Sequence, residues 1–138
     1  MVKKQLKILV PLDGSKNSLR ALDTAIVLFK NQDAIITGLH VIRFPVEFSK
    51  EIRKQYIKNA QNIMRTALKH TKQHGVRFVD KIQHDGYIGN MIVKFAHDNK
   101  FNLIIIGSRG PHPIAEMFLG SVANYVINKA KMPVLLVK

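Results

Sequence analysis

A chain of 138 residues has room for one compact domain with a real core and is short for two. Hydrophobic residues make up 46% and charged residues 22%, which excludes a disordered or fibrous chain. The absence of cysteine excludes a disulfide framework, a thiolate nucleophile and a cysteine zinc site, and is compatible with a reducing compartment such as the cytoplasm.

The first apolar stretch, 8–12, follows Lys3, Lys4 and Lys7, stops at Asp13 and lacks a small-residue cleavage pattern. It reads as part of a strand over 7–12 rather than a signal peptide. Asp13-Gly14-Ser15 is a turn cluster that can also start a helix. Leu19, Leu22, Ala25, Ile26 and Phe29 then recur at helical spacing, ending before Asn31. A second strand spans 34–41. Pro45 breaks the chain, and a long polar helix is expected over about 47–74, with Ile52, Tyr56, Ile63, Ala67 and Leu68 buried and Gly75 ending it.

Val76 and Phe78 alternate with polar neighbours in a third strand reaching about 83, closed by an Asp85-Gly86 turn. Ile88, Ile92, Phe95 and Ala96 mark the next helix. The run 103–106 is wholly apolar, as in a parallel strand buried on both faces. Ser121 begins a helix carrying Val122, Tyr125, Val126 and Ala130, and Pro133 opens a last strand, 134–137. No run approaches the roughly 18 apolar residues of a membrane span, so a soluble protein is expected. This βαβαβαβαβ order predicts one doubly wound α/β domain over 1–138, a five-stranded parallel sheet with helices on both faces.

In such sheets ligands sit beyond the carboxyl ends of the strands, where the winding reverses. The two unusual turns there are Asp13-Gly14-Ser15 and Gly107-Ser108-Arg109-Gly110. Gly107 and Gly110 allow left-handed angles and close approach, exposing backbone N–H groups to an anion. Nine residues on, Gly120 and Ser121 stand at a helix start suited to phosphate. Neither a P-loop nor a G-x-G-x-x-G fingerprint occurs.

The segment Gly107-Ser108-Arg109-Gly110, nine residues, then Gly120-Ser121 resembles the G-x2-G-x9-G-[ST] signature of the ATP-binding branch of the universal stress protein family. The stretches 8–15, 39–41 and 133–137 are similar to the family's opening strand, second-strand end and closing strand, so the resemblance covers nearly the whole chain. It implies a strand order of 3-2-1-4-5, as in the adenine nucleotide alpha hydrolase-like fold. It also implies an ATP site in which Pro11, Asp13 and Val41 surround adenine and ribose. The backbone from Gly107 through Ser108 and Arg109 to Gly110 would approach ribose and phosphates, and Gly120, Ser121 and Val122 would hold the phosphates. Mg²⁺ would come with the nucleotide, and a homodimer would form through 134–137, whose apolar edge is otherwise unprotected.

Two positions depart from the family pattern. Pro111-His112-Pro113 stands where the family often has small, flexible or glycine residues, so a stiffer loop is expected, and His112 could either donate to a phosphate or face solvent. Asn102 stands where many members carry Asp, and a structural role is expected of it. His70 and His74, one turn apart, lack the third ligand and second shell of a metal site, and the helix dipole accounts for histidines near a helix end.

No Ser/His/Asp set or defined carboxylate pair is present, so ATP binding in a stress-response or regulatory role ranks ahead of slow Mg-dependent ATP hydrolysis or phosphotransfer at the same site. The net charge of +13 favours anionic partners without choosing among them. Lys50, Arg53, Lys54, Lys58, Arg65, Lys69 and Lys72 spread along the second helix with no interleaved exposed aromatics expected, Tyr56 being assigned to the buried face. They read as a solvated face ahead of a nucleic-acid surface.

Overall fold

The computed structural model describes residues 4–109 and 119–138. Its elements run β1 (Leu6–Pro11), α1 (Lys16–Phe29), β2 (Ala34–Ile42), α2 (Lys50–Gln73), β3 (Arg77–His84), α3 (Ile88–Asp98), β4 (Leu103–Gly107), α4 (Ser121–Lys129) and β5 (Val134–Val137). All strand pairs are parallel, in the order β3-β2-β1-β4-β5.

Strand alternation divides the core into two layers. Ile8, Val10 and Leu12 of the β1 segment and Ile36 of β2 pack with Ala21, Leu22, Ala25 and Ile26 of α1 and Met64 and Ala67 of α2. Leu9, Leu39 and Val41 point the other way, with Ile92, Val93 and Ala96 of α3 and Ala123 and Val126 of α4. The winding therefore reverses between β1 and β4, the central pair.

Asn102 takes the structural role expected of it. Its Oδ1 accepts from the Lys7 N–H at 2.8 Å while its own N–H donates to the Lys7 carbonyl at 2.8 Å, adding a rung below the β1–β4 ladder. Gly75 ends α2 in the left-handed region, φ +65°, with the Gly75 and Val76 N–H groups returning to Lys72 and Thr71. Lys100 (φ 55°) fills the same position after α3, and the Lys100 and Phe101 N–H groups return to His97 and Ala96.

Two expected core positions of α2 are exposed, Tyr56 at 37% and Leu68 at 49%. This helix covers β2 and the edge strand β3, so its fully buried face narrows to Ala60, Met64, Ala67 and Thr71. Among the described residues no helix is long and apolar enough to cross a membrane.

Candidate functional site

Pro11 shapes the crevice at the switch point. The Leu6 and Leu12 N–H groups donate towards the β2 side, to Asp33 and Leu39, whereas Lys7 pairs on the β4 side. Alternation along the strand turns position 11 towards β4, and proline has no N–H to offer there. Pairing between β1 and β4 accordingly spans Ile8↔Leu103 and Leu9↔Ile104, although β1 continues to Pro11 and β4 to Gly107. Beyond those pairs the two strands part at their carboxyl ends, where a doubly wound sheet receives its ligand.

The wall on the β1 side is a fixed turn. Asp13 Oδ1 accepts from the Ser15 N–H at 2.8 Å, Gly14 takes φ +85°, and Ser15 Oγ caps α1 by accepting from the Ser18 N–H at 3.1 Å. His40 Nδ1 lies 2.6 Å from the Leu12 carbonyl. A carbonyl only accepts, so the Nδ1 proton is on the donor side and ties the end of β2 to this turn. Pro11 and Val41 are buried beside it, while Asp13 is part-exposed. Its Oδ2 has no partner among the described residues, leaving one carboxylate oxygen free to accept.

The opposite wall depends on Asn17, a residue that no sequence motif singles out. From the first turn of α1 its Oδ1 accepts from the Arg109 N–H at 2.7 Å and its Nδ2 donates to the Val137 carbonyl at 3.2 Å. The Ser108 N–H donates to the same Val137 carbonyl at 2.7 Å, and the Gly120 N–H donates to the Ser108 carbonyl at 2.6 Å. One polar knot thus joins α1, the end of β4, the start of α4 and β5, and it pins together the two ends of the segment between Arg109 and Gly120.

The knot corrects two expectations. Gly107 does not adopt a left-handed angle; a Cβ there would meet Asn17 Oδ1 at 2.5 Å and the Asn17 carbonyl carbon at 3.1 Å, so its lack of a side chain serves contact with α1. The Ser108 and Arg109 N–H groups are already bonded and are not open donors.

Open donors occur instead at α4. Gly120 is its N-cap, at φ −67° and ψ 159°, and offers no side-chain cap. The first returning bond is from the Asn124 N–H to the Gly120 carbonyl. Among the described residues nothing accepts from the Ser121, Val122 or Ala123 N–H groups, the orphan donors of a first helical turn. Gly110 and Pro111-His112-Pro113 lie outside the described residues. Among those described, no three His, Asp or Glu side chains gather as a metal site; His70 instead meets Asp23 of α1 at 2.8 Å.

The universal stress protein family model matches residues 6–138. The chain belongs to this family. Among its universal stress protein relatives, YxiE of Bacillus subtilis is 34% identical, over 96% of this chain and 98% of the relative. The solved structure of MJ0577, a universal stress protein of Methanocaldococcus jannaschii, superposes with a TM-score of 0.87 at 34% identity, covering 96% of this chain and 94% of that one. A universal stress protein solved in complex with cAMP superposes at 0.78 with 26% identity, covering 96% and 97%.

Proposed function

We propose that this protein binds ATP in the crevice between β1 and β4 and acts as a regulatory, stress-response binder whose shape or partners change with its ligand. The observation that carries the proposal is the pairing of that opened crevice with an uncapped helix start. Ser121 and Val122 offer N–H groups and the positive end of the α4 dipole to a phosphate. Gly120 brings the backbone close without a side chain. The cAMP complex of a relative supports an adenine nucleotide as the ligand class.

In this proposal Pro11 and Val41 flank the adenine, and the free Asp13 oxygen accepts from a ribose hydroxyl. Gly107, Ser108 and Arg109 form the wall beside ribose and phosphates, with Gly110 completing the motif. Mg²⁺ would be carried mainly by the phosphates. The cysteine-free composition is compatible with the cytoplasm, the compartment proposed here. A second copy would pair along β5, a sheet edge with Leu135 exposed; light scattering showing a monomer at tens of micromolar, a rough working range for a substantial interface, would count against that arrangement.

Calorimetric titration with ATP and adenosine tests the site. The Gly120 angles suit any L-residue, so Gly120→Val should keep the fold while weakening ATP at least tenfold, about 1.4 kcal/mol, and adenosine much less. Equal ATP affinity in parent and variant would refute the phosphate assignment. Multiple-turnover phosphate release near the ~10 s⁻¹ of ordinary enzymes, abolished by Asp13→Ala, would make the site catalytic instead.

A further inference from the structure

Helix α2 carries more cationic charge than its packing requires, and the fold collects that charge on one flank. At about 100° per residue, Lys50, Lys54, Lys58, Arg65, Lys69 and Lys72 fall within an arc of about 100°, with Glu51 at its border. All six are exposed, and no carboxylate forms an ion pair with them among the described residues. The opposite flank faces α1: Asn59, Ile63 and Thr66 line a groove with Ser15 and Leu19, and His70 meets Asp23. The cationic flank therefore looks away from α1, outward past the β3 edge of the sheet; Arg77 and Lys81 alternate onto the opposite face of the sheet, and the exposed charge of β3 on the α2 face is Asp80. From Lys50 to Lys72 it runs about 33 Å at 1.5 Å per residue.

Aromatic rings cluster at the N-terminal end of α2, supplied by segments distant in sequence, with Tyr56 about 120° or more outside the cationic arc. Phe44 and Phe48 stack with centroids 4.9 Å apart, Tyr56 lies 5.8 Å from Phe44, and the Arg53 guanidinium sits 5.0 Å from the Phe44 ring centre. Phe48 and Tyr56 are exposed at 40% and 37%. A row of unpaired cations that begins two residues after the exposed ring of Phe48 matches the chemistry of single-stranded nucleic acid, whose phosphates follow the charge and whose unstacked bases lie on rings.

We propose that the cationic flank of α2 binds single-stranded nucleic acid, independently of the nucleotide crevice. A duplex offers charge without free base faces. A membrane-surface helix needs an apolar face turned to the lipid beside its cations, whereas α2 uses Ala60, Met64 and Ala67 against the sheet.

Fluorescence anisotropy with labelled mixed-sequence RNA and DNA single strands of about 15 nucleotides, long enough for the stripe, tests the proposal between roughly 50 and 300 mM salt. Six phosphate contacts at about 0.7 each give an expected log–log salt slope near −4. Lys58→Gln/Arg65→Gln/Lys69→Gln should make the slope shallower by about 2 and lower low-salt affinity more than tenfold. Lys30→Gln/Lys129→Gln/Lys131→Gln removes the same charge elsewhere and should stay within about twofold of the parent if the stripe is the site. Phe48→Ala should weaken single-strand binding several-fold through lost stacking with little change in slope. Circular dichroism checks that each variant is folded. Equal weakening by the two triple variants, no oligonucleotide binding, or capture by phosphatidylglycerol vesicles in place of oligonucleotides overturns the proposal. A duplex bound as tightly as the single strand, or an inert Phe48→Ala, overturns the single-strand assignment.

Discussion

Gly107→Ala separates a packing glycine from a ligand glycine. Its new Cβ would lie 2.5 Å from Asn17 Oδ1, 2.9 Å from Asn17 Cγ and 3.1 Å from the Asn17 carbonyl carbon. To clear it the Asn17 side chain must leave, releasing the Arg109 N–H and the Val137 carbonyl. With the side chain displaced, overpacking against the remaining Asn17 backbone contact costs about 1 kcal/mol and each of the two lost hydrogen bonds about 0.5–1.5 kcal/mol. A destabilisation of about 2–4 kcal/mol follows, or roughly 8–14 °C in Tm at this chain length. In an Asn17→Ala background the two nearest atoms are gone and only the backbone contact remains, so the same substitution should cost about 1 kcal/mol. Urea unfolding of the four proteins, followed by far-ultraviolet circular dichroism, measures that coupling. The reasoning is refuted if Gly107→Ala lies within about 0.5 kcal/mol of the parent, or if the two changes add.

Lys100→Gly should stabilise the protein by about 1 kcal/mol, because a left-handed residue after α3 is unstrained only as glycine; an unchanged urea midpoint would contradict the cap geometry. Ser15→Ala should cost about 1 kcal/mol and Ser15→Asp little, since a carboxylate can also accept from the Ser18 N–H; thermal unfolding compares the two. The hydrogen bond and then the charge of Asp98 hold the Lys94 amine above its ordinary value. A raised amine pKa contributes stability that is fully present below about pH 10.4 and lost as pH rises through the folded value. Stability curves of parent and Asp98→Asn should therefore keep a constant separation from pH 6 to 9, and a separation that changes within that window would contradict the pairing.

The alternating elements were legible because each helix carries its apolar residues at helical spacing and the central strands are dominated by apolar residues. Gly75 was readable as a stop because a left-handed cap has a residue preference. The width of the buried face of α2 was not readable: Tyr56 and Leu68 keep helical spacing, but only the tertiary fact that α2 covers an edge strand leaves them exposed. Pro11 was visible as a residue, yet the effect of its missing N–H depends on which neighbour that side of the strand faces. Asn17 left no local trace, since its partners stand 92 and 120 positions away. The aromatic head of α2 likewise needs Phe44 folded back onto Tyr56.

The knot around Asn17 also orders events during synthesis. Both the Asn17 amide and the Ser108 N–H converge on the carbonyl of Val137, so one wall of the crevice is incomplete until that residue has left the ribosome. Contacts of such sequence separation are slow to form, and at about 5–20 residues per second the β1 turn waits several seconds or more for its counterpart. Stalled nascent chains with β5 still inside the exit tunnel should show no gain of protease resistance from added ATP, whereas chains extended by a linker that frees β5 should show one; equal protection in both would contradict this order. Under the proposed function, ATP would then engage only molecules whose first helix and last strand have already met.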